Sequence, residues 1–318
     1  MLRELLLYSS RNLAFLIPAS VSMGLLAGWF CETAVLKSLI LPITVFMIYP
    51  TVIGFNLHEL THLNERKLLS LAFFVNFLLV PVAAYFLGRA FLSDAPGLFA
   101  GIAISSLLPT SNMTIAYTMI SRGNVGASVK ITVASLIIGA LISPWYLYFL
   151  IGKYIQFDIM HTVRTLGMVV LLPLVMGNLT FRYLMRRYTI DEFNSGIKVL
   201  LPGISAWGAV CIVFISVSME SKAIFRDLDM LAVAVIVQVV FYAFNYLLAI
   251  CGSRFCSLNK EDGYSLVYST VLRNLAISMG LAATVFGPKA ALMVSLAFLF
   301  QPVAAAWFYR LNERFNFV

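Results

Sequence analysis

Long apolar stretches recur along the whole chain, and no other feature restricts its fold as much. Ten of them lie near residues 13–30, 34–55, 68–88, 97–119, 125–151, 165–185, 199–219, 230–251, 264–286 and 289–309. A helix needs about 20 apolar residues to cross a hydrocarbon core of about 30 Å, and these stretches are about that long. Only 11% of the residues are charged, whereas a soluble domain has about 25%. The sequence therefore predicts an all-α integral membrane protein with ten transmembrane helices.

The basic residues lie between the apolar stretches and form no stripe, so the net charge of +8 does not indicate nucleic-acid binding. With the N-terminus inside, fourteen lysines and arginines lie on the inner side and seven on the outer side. Cytoplasmic loops of membrane proteins carry such an excess. We therefore expect a multi-pass protein of the cell (plasma or inner) membrane with both termini in the cytoplasm.

The two halves of the chain show weak internal sequence similarity. VNFLLVP around Asn76 resembles FNYLLAI around Asn245, and each lies about one helix before a polar interruption. Five helices in each half would make the halves inverted, and inverted repeats with broken helices are typical of secondary transporters. The sequence thus predicts two inverted five-helix repeats, residues 1–160 and 161–318. Asn76 and Asn245 are expected either to support the site by hydrogen bonds between helices or simply to pack.

The first polar interruption falls in the fourth stretch. Pro109 is expected to break the helix there because it lacks an N–H and clashes with the preceding turn. Polar side chains follow it at Thr110, Ser111, Asn112 and Thr114. Because freed backbone groups at membrane depth are tolerated only where they face protein or water, this segment forms either a hinge or a direct ligand contact.

The second interruption, in the ninth stretch, contains Ser269, Thr270, Arg273 and Asn274. Arg273 is the one charge that we place in the middle of the bilayer. Such a charge is costly and marks a functional candidate; the structural alternative is an arginine that caps the carbonyls of a broken helix. All 14 acidic residues fall in loops or near the ends of stretches. This favours an anionic substrate, or Arg273 as a built-in substitute for a bound cation.

Several segments resemble the bile acid/sodium symporter and arsenical-resistance (arsenite efflux) transporter superfamily, over nearly the whole chain. FMIYPTVIGFNLHEL and FFVNFLLVPVAAYFLG resemble the second and third helices of arsenite efflux proteins, whereas SRGNVGASVKIT and LRNLAISMGLA resemble the sodium symporter branch. The resemblance implies ten helices in inverted repeats, with broken helices 4 and 9 that cross mid-membrane. It also implies a panel of helices 1, 2, 6 and 7 and a core of helices 3–5 and 8–10, which move against each other in alternating access.

In the sodium-coupled branch a pair of hydroxyls in the fifth helix helps to bind Na⁺, and Ser128 and Thr132 match that pair. The acidic residue of the ninth helix falls on Ser269, next to Thr270, and the neighbouring glutamine falls on Arg273. The resemblance therefore implies a sodium site at these four hydroxyls, but the missing carboxylate leaves sodium coupling open. We expect no other cofactor.

Two further functions are alternatives. The first is arsenite efflux, although the cysteine that coordinates As(III) in those proteins falls on Thr110 and a soft metalloid requires sulfur ligands. The second, more remote, is an intramembrane zinc protease, because residues 58–62 spell HELTH, an H-E-x-x-H motif. That motif lies in a short inner loop without an evident third ligand, so we expect neither a metal site nor an enzyme.

The sequence therefore predicts a secondary transporter of a small organic anion or oxyanion. The expected substrate-binding residues are Thr110, Ser111, Asn112, Thr114, Arg273 and Asn274. Arg273 would neutralise the anion, and Asn274 would orient it. Besides the substrate and the lipid bilayer, we expect no nucleic-acid partner and no protein partner.

Overall fold

A computed structural model describes residues 2–54, 65–156, 158–226 and 228–318 of the chain. In the first half of the chain a 3₁₀ turn at Ala34–Leu39 precedes α3. The helices of this half are α1 (Leu2–Arg11), α2 (Leu13–Phe30), α3 (Ile40–Val52), α4 (Arg66–Phe74), α5 (Val80–Phe91), α6 (Pro96–Leu107), α7 (Asn112–Ile120) and α8 (Val125–Ile151).

The second half has the same helical character. Its helices are α9 (Ile159–Leu166), α10 (Leu172–Leu184), α11 (Ile190–Glu192), α12 (Leu201–Arg226), α13 (Leu228–Phe255), α14 (Lys260–Val271), α15 (Leu275–Leu281) and α16 (Pro288–Phe315). Four short π-helical turns lie next to these helices, at Val75–Leu79, Gly167–Leu171, Phe193–Ile197 and Ala282–Phe286. The first two join neighbouring helices, so α4 continues into α5 and α9 continues into α10.

The described residues contain eight helical segments that are long and apolar enough to cross a membrane. They are Ala34–Val52, Arg66–Phe91, Val125–Ile151, Ile159–Leu184, Ile190–Lys222, Leu228–Phe255, Lys260–Phe286 and Pro288–Phe315. Phe15–Phe30 and Pro96–Leu107 are apolar helices of shorter length. The all-α membrane architecture agrees with the sequence-based expectation. The count of ten transmembrane helices and the inverted repeats with their boundary near residue 160 stay predictions.

The distribution of side chains suits a lipid environment. Large apolar side chains point outward, for example Phe149, which is 75% exposed, and Ile236. The interior contains fully buried polar side chains, including Asn76, Asn245 and Arg273. A soluble protein shows the reverse preference, since its charged residues are almost never fully buried. Polar groups inside and apolar groups outside indicate that lipid surrounds these helices.

One group of helices is built around α12, which packs against α2 and α3, while α10 packs against α3. Gly24 and Gly28, one helical turn apart, permit the close approach of α2 to α12. A Cβ on Gly24 would lie 2.9 Å from the carbonyl oxygen of Phe214, and a Cβ on Gly28 would overlap the backbone of Ser218. Small residues at this spacing are typical of tightly packed membrane helices.

A second group contains α5, α6, α8, α13, α14 and α16. Within it α6 packs against α16, α5 and α8, and α14 packs against α13 and α8. The two groups meet where α15 contacts α3 and where α16 contacts α2 and α12. At this junction Gly280 lies so close to Thr44 that an added Cβ would overlap the threonine side chain.

Candidate functional site at two helix breaks

The first break separates α6 from α7 at residues 108–111. The break occurs at Pro109, as predicted, because α6 ends at Leu107. Thr110 adopts the left-handed conformation, with φ +62°, which is unfavourable for a β-branched residue. Its side chain is 1% exposed, and its Oγ1 donates a hydrogen bond to the Pro109 carbonyl at 2.7 Å. Strained backbone of this kind persists only where the surrounding structure holds it, and it occurs preferentially at functional sites.

The second break separates α14 from α15 at residues 272–274 and contains no proline. Gln301 of α16 supports it instead. The Gln301 Oε1 accepts a hydrogen bond from the Arg273 backbone N–H at 2.9 Å, and its Nε2 donates to the Arg273 carbonyl at 3.2 Å. Asn274 begins α15, because its Oδ1 accepts from the Ile277 N–H at 3.2 Å. A side-chain amide thus replaces the helical partners that the break removes.

The two breaks touch each other. The Asn274 backbone N–H donates to the Leu108 carbonyl at 3.0 Å. The flanking helices pair across this point, since α6 packs against α15 and α7 packs against α14. This is the arrangement of two crossing helices that are each broken at the crossing. We call residues 108–111 and 272–274 the crossing.

Arg273 is the central side chain of the crossing and is fully buried. Its Nε donates to the Ser105 carbonyl at 2.9 Å, and its Nη2 donates to the Ser106 carbonyl. Its Nη1 donates to Asn76 Oδ1 at 2.6 Å and to the Thr270 carbonyl at 3.2 Å. Four of the five guanidinium N–H groups are therefore engaged with oxygens of the chain itself. The structure places Arg273 where an arginine caps the carbonyl ends of broken helices.

No carboxylate pairs with Arg273 in the part of the chain that the structure describes. A partly buried ion pair, Lys130 Nζ to Glu65 Oε2 at 2.7 Å, joins α8 to the start of α4. The oxygens around the guanidinium are neutral, so its positive charge is uncompensated by any acid. An isolated charge at membrane depth is costly, and this marks the crossing as the strongest candidate site.

A cluster of hydroxyl groups lies beside the crossing, between α7, α8 and α14. Thr114 Oγ1 accepts from the Ser111 N–H at 3.2 Å, and its hydroxyl lies 3.3 Å from the Tyr268 carbonyl and 3.4 Å from the Leu272 carbonyl. The predicted ion-binding pair is also here. Ser128 Oγ lies 2.9 Å from Thr118 Oγ1, whereas the buried Thr132 Oγ1 has no hydrogen-bond partner among the described residues.

The other two predicted ion-binding hydroxyls are used locally. Ser269 Oγ and Thr270 Oγ1 each donate to the Leu266 carbonyl at 2.9 Å. Both residues are fully buried. Within the described residues these two hydroxyls therefore stabilise α14 itself and are not gathered with Ser128 and Thr132 by any hydrogen bond.

The remaining features predicted from the sequence are Asn76, Asn245, Asn112 and the HELTH motif. Asn76 lies in the π-helical turn Val75–Leu79 and reaches the crossing through Arg273. Asn245 is fully buried in α13, and neither atom of its amide has a hydrogen-bond partner in the described part of the chain. Asn112 begins α7, but its side chain lies outside the described residues. The HELTH motif also lies outside them.

Sequence reasoning missed two side chains that build the crossing. Gln301 bonds to the backbone of Arg273, and the Tyr242 hydroxyl donates to Gln301 Oε1 at 2.8 Å. Gln301 had a signal in the sequence, because it is a polar residue directly before Pro302 in the apolar stretch FQPVAAAWF. Tyr242 had none, since tyrosines are frequent in the apolar stretches of this chain.

Comparison with known proteins gives one family. The model of the Sodium Bile acid symporter family matches residues 41–227. A protein of Bacillus subtilis (strain 168) named "Uncharacterized protein YbaS" is 25% identical over 309 residues, which are 95% of this chain and 96% of that protein. The match therefore extends over both helix breaks.

Two plant proteins are similar over shorter regions, and both are named "Probable sodium/metabolite cotransporter BASS1, chloroplastic". The Arabidopsis thaliana protein is 22% identical over 226 residues, which are 71% of this chain and 54% of that protein. The Oryza sativa subsp. japonica protein is 29% identical over 124 residues, 39% of this chain and 30% of that protein. The matched regions thus span about half and about a third of the plant proteins.

Proposed function

The chain belongs to the sodium bile acid symporter family, and on that basis we propose that it moves a small organic anion or oxyanion across the cell membrane by alternating access. Members of this family are transporters, so the chain is a multi-pass membrane transporter and not an enzyme. Arsenite efflux is not favoured by the comparisons. The four cysteines are exposed or half-buried side chains and none belongs to the crossing, so no sulfur ligand for As(III) is available there.

The observation that carries the proposal is the buried positive charge of Arg273 where two helix breaks touch. A charge without an acidic partner creates a positive potential, and in a low-dielectric interior that potential is strong. An anion that enters the crossing would be attracted by it. Arg273 acts on the substrate mainly through this charge, because only one N–H, on Nη2, is left without a partner among the described residues.

Neutral donors and acceptors for the substrate come from both breaks. Thr110, Ser111, Asn112 and Thr114 contribute from the first break, and Asn274 contributes from the second. Discontinuous helices that present backbone and hydroxyl groups near the bilayer midplane are the usual construction of a transporter site.

Alternating access is supported by the division of the helices into two packed groups. In our proposal α2, α3, α9, α10 and α12 form the panel, and the group that contains α5, α6, α8, α13, α14 and α16 forms the core, with ten spans in two inverted repeats and both termini in the cytoplasm. The groups touch through α15 and α16. Motion of one group against the other would open the crossing to either side in turn.

The test is counterflow with purified protein in liposomes. Liposomes are loaded with one unlabelled compound and the uptake of the same labelled compound is measured, for a set of small carboxylates, a sulfonate and, as a cationic control, choline. We expect counterflow of at least one anion and none of choline. In sodium-free medium Arg273→Ala should remove this uptake, while Arg310→Ala, which removes an exposed charge near the end of α16, should retain it.

Two results would contradict the proposal. Counterflow of choline without counterflow of any anion would exclude an anion site. Equal anion uptake by the wild type and a folded Arg273→Ala protein in sodium-free medium would remove Arg273 from the site.

A further inference from the structure

We propose that the guanidinium of Arg273 is a tethered cation that fills a monovalent-cation site built from this chain's own oxygens. The wild-type protein then needs no sodium, and a small neutral side chain at position 273 opens the site to a free cation. The part of this inference that concerns transport rests on the proposed function. The part that concerns the cation site does not, because it is tested by stability alone.

The ligand set is the first argument. Four oxygens surround the guanidinium: the carbonyls of Ser105, Ser106 and Thr270 and the Oδ1 of Asn76. They come from α6, α14 and the π-helical turn at Val75–Leu79, so the chain brings them together from distant positions. Carbonyl and amide oxygens are ligands of hard cations, and unwound carbonyls at broken helices bind Na⁺ in membrane transporters.

The helix ends are the second argument. Ser105 and Ser106 are in the last turn of α6, and Thr270 is in the last turn of α14. The last four carbonyls of a helix have no partner within the helix, and each helix carries about −0.5 of an elementary charge at this end. Two such ends attract a positive charge to their carbonyls, so Arg273 is held there without any carboxylate. Because α7 and α15 begin at the same crossing and their N-termini carry the opposite partial charge, the crossing as a whole stays positive.

The position of the acids is the third argument. The described residues offer no carboxylate to the crossing, so a positive charge there is held by neutral oxygens alone. The hydroxyls of Ser269 and Thr270 are bonded within α14. A sodium ion at Ser128 and Thr132 would be repelled by the charge of Arg273 at the neighbouring crossing, because like charges repel each other.

The fourth argument is that most N–H groups of the Arg273 guanidinium are already bonded to the chain. An arginine that held a substrate by hydrogen bonds would keep its N–H groups free, but four of five are bonded to the chain and the group is fully buried. An arginine that only packed would not need a set of carbonyls from two helix ends. A group that replaces a bound ion satisfies both observations.

The experiment measures thermal unfolding of the purified protein in sodium, potassium and choline chloride at equal ionic strength. For the wild type we expect the same Tm in all three salts. For Arg273→Ala we expect a lower Tm in choline and a rise in sodium that saturates with concentration. A ligand at 100 times its dissociation constant should raise the Tm by about 4 °C. Arg273→Lys keeps a tethered charge and should show no sodium effect.

Arg310→Ala is the matched control, since it removes one exposed positive charge and leaves the crossing intact. It should respond to salts as the wild type does. If Arg273→Ala does not fold, Arg273→Gln provides a neutral side chain that is closer to arginine in size and can still donate hydrogen bonds. A sodium-specific rise in the Tm of the wild type would overturn the inference even without a folded variant.

The inference is overturned by a sodium-specific rise in the Tm of the wild type, because a free sodium site would then coexist with Arg273. It is equally overturned if folded neutral variants at position 273 respond alike to sodium, potassium and choline. These outcomes do not depend on finding a substrate. If an anion is found and its uptake by the wild type requires sodium, the proposed function stands and this inference falls.

Discussion

Gln301 should contribute more to stability than any comparable amide of the interior, and replacing it by leucine tests how the second break is held. The change keeps roughly the volume of the side chain, so cavity effects stay small. It removes three hydrogen bonds, those to the Arg273 N–H, to the Arg273 carbonyl and from the Tyr242 hydroxyl. Gln301, Arg273 and Tyr242 are all buried.

The magnitude follows from the partners that remain. Hydrogen bonds between membrane helices average about 0.6 kcal/mol and reach about 1.7 kcal/mol, so three of them give about 2 to 5 kcal/mol. The Arg273 N–H keeps the Val271 carbonyl at 3.1 Å, and the Arg273 carbonyl keeps the Leu275 N–H at 2.9 Å. We therefore expect the lower end, a loss of about 2 kcal/mol, which lowers the Tm by about 3 °C.

The chain offers a matched control at Gln238. This glutamine is also buried, in α13, but neither atom of its amide has a partner among the described residues. Replacing an unpaired buried amide by an apolar side chain removes a desolvation cost, so Gln238→Leu should be neutral or stabilising. Thermal unfolding of both variants in one detergent gives the comparison. Equal losses of stability in the two variants would refute the reasoning from hydrogen bonds.

Three further outcomes are expected. Gly280→Ala should lower stability by about 1–3 kcal/mol and slow uptake, because the added Cβ would overlap Thr44 where the two helix groups meet. Gly196→Ala is the control and should change little, since a Cβ there meets nothing within 4 Å. Similar uptake and Tm in both variants would exclude Gly280 as a close contact. Thr110→Gly should be more stable than Thr110→Ala by about 1 kcal/mol, because glycine adopts the left-handed conformation without the steric cost of a Cβ. A higher Tm for the alanine variant would contradict the left-handed conformation of this residue. Thr132→Val should leave the Tm almost unchanged because its hydroxyl is unpaired among the described residues; a loss above about 1 kcal/mol would show that the hydroxyl binds a water or an ion.

The sequence predicted the first break better than the second, for a physical reason. Pro109 breaks a helix by local chemistry that can be applied directly to the sequence. The second break has no local cause, since Gln301 lies 28 residues away from Arg273 and pairs with it only in the folded protein. Arg273 itself was predictable as a buried charge, but its partners were not. Ser105 and Ser106 contribute backbone carbonyls, which every residue type has, so the sequence does not indicate which ones bind the guanidinium.

The contacts of the crossing also favour one mode of motion over another. Arg273 ties α6 and α14 to the turn around Asn76, Gln301 adds α16, and Asn274 ties the second break to Leu108. Separating these groups would expose buried carbonyls and a buried charge without partners, at a cost of several kcal/mol for each group. At the junction of α15 with α3, the small residues Gly280 and Thr44 are in close contact, and sliding of this contact breaks few polar interactions. For the proposed alternating access, a cycle that moves the crossing as one rigid unit against α2, α3 and α12 is therefore favoured over one that opens the crossing itself.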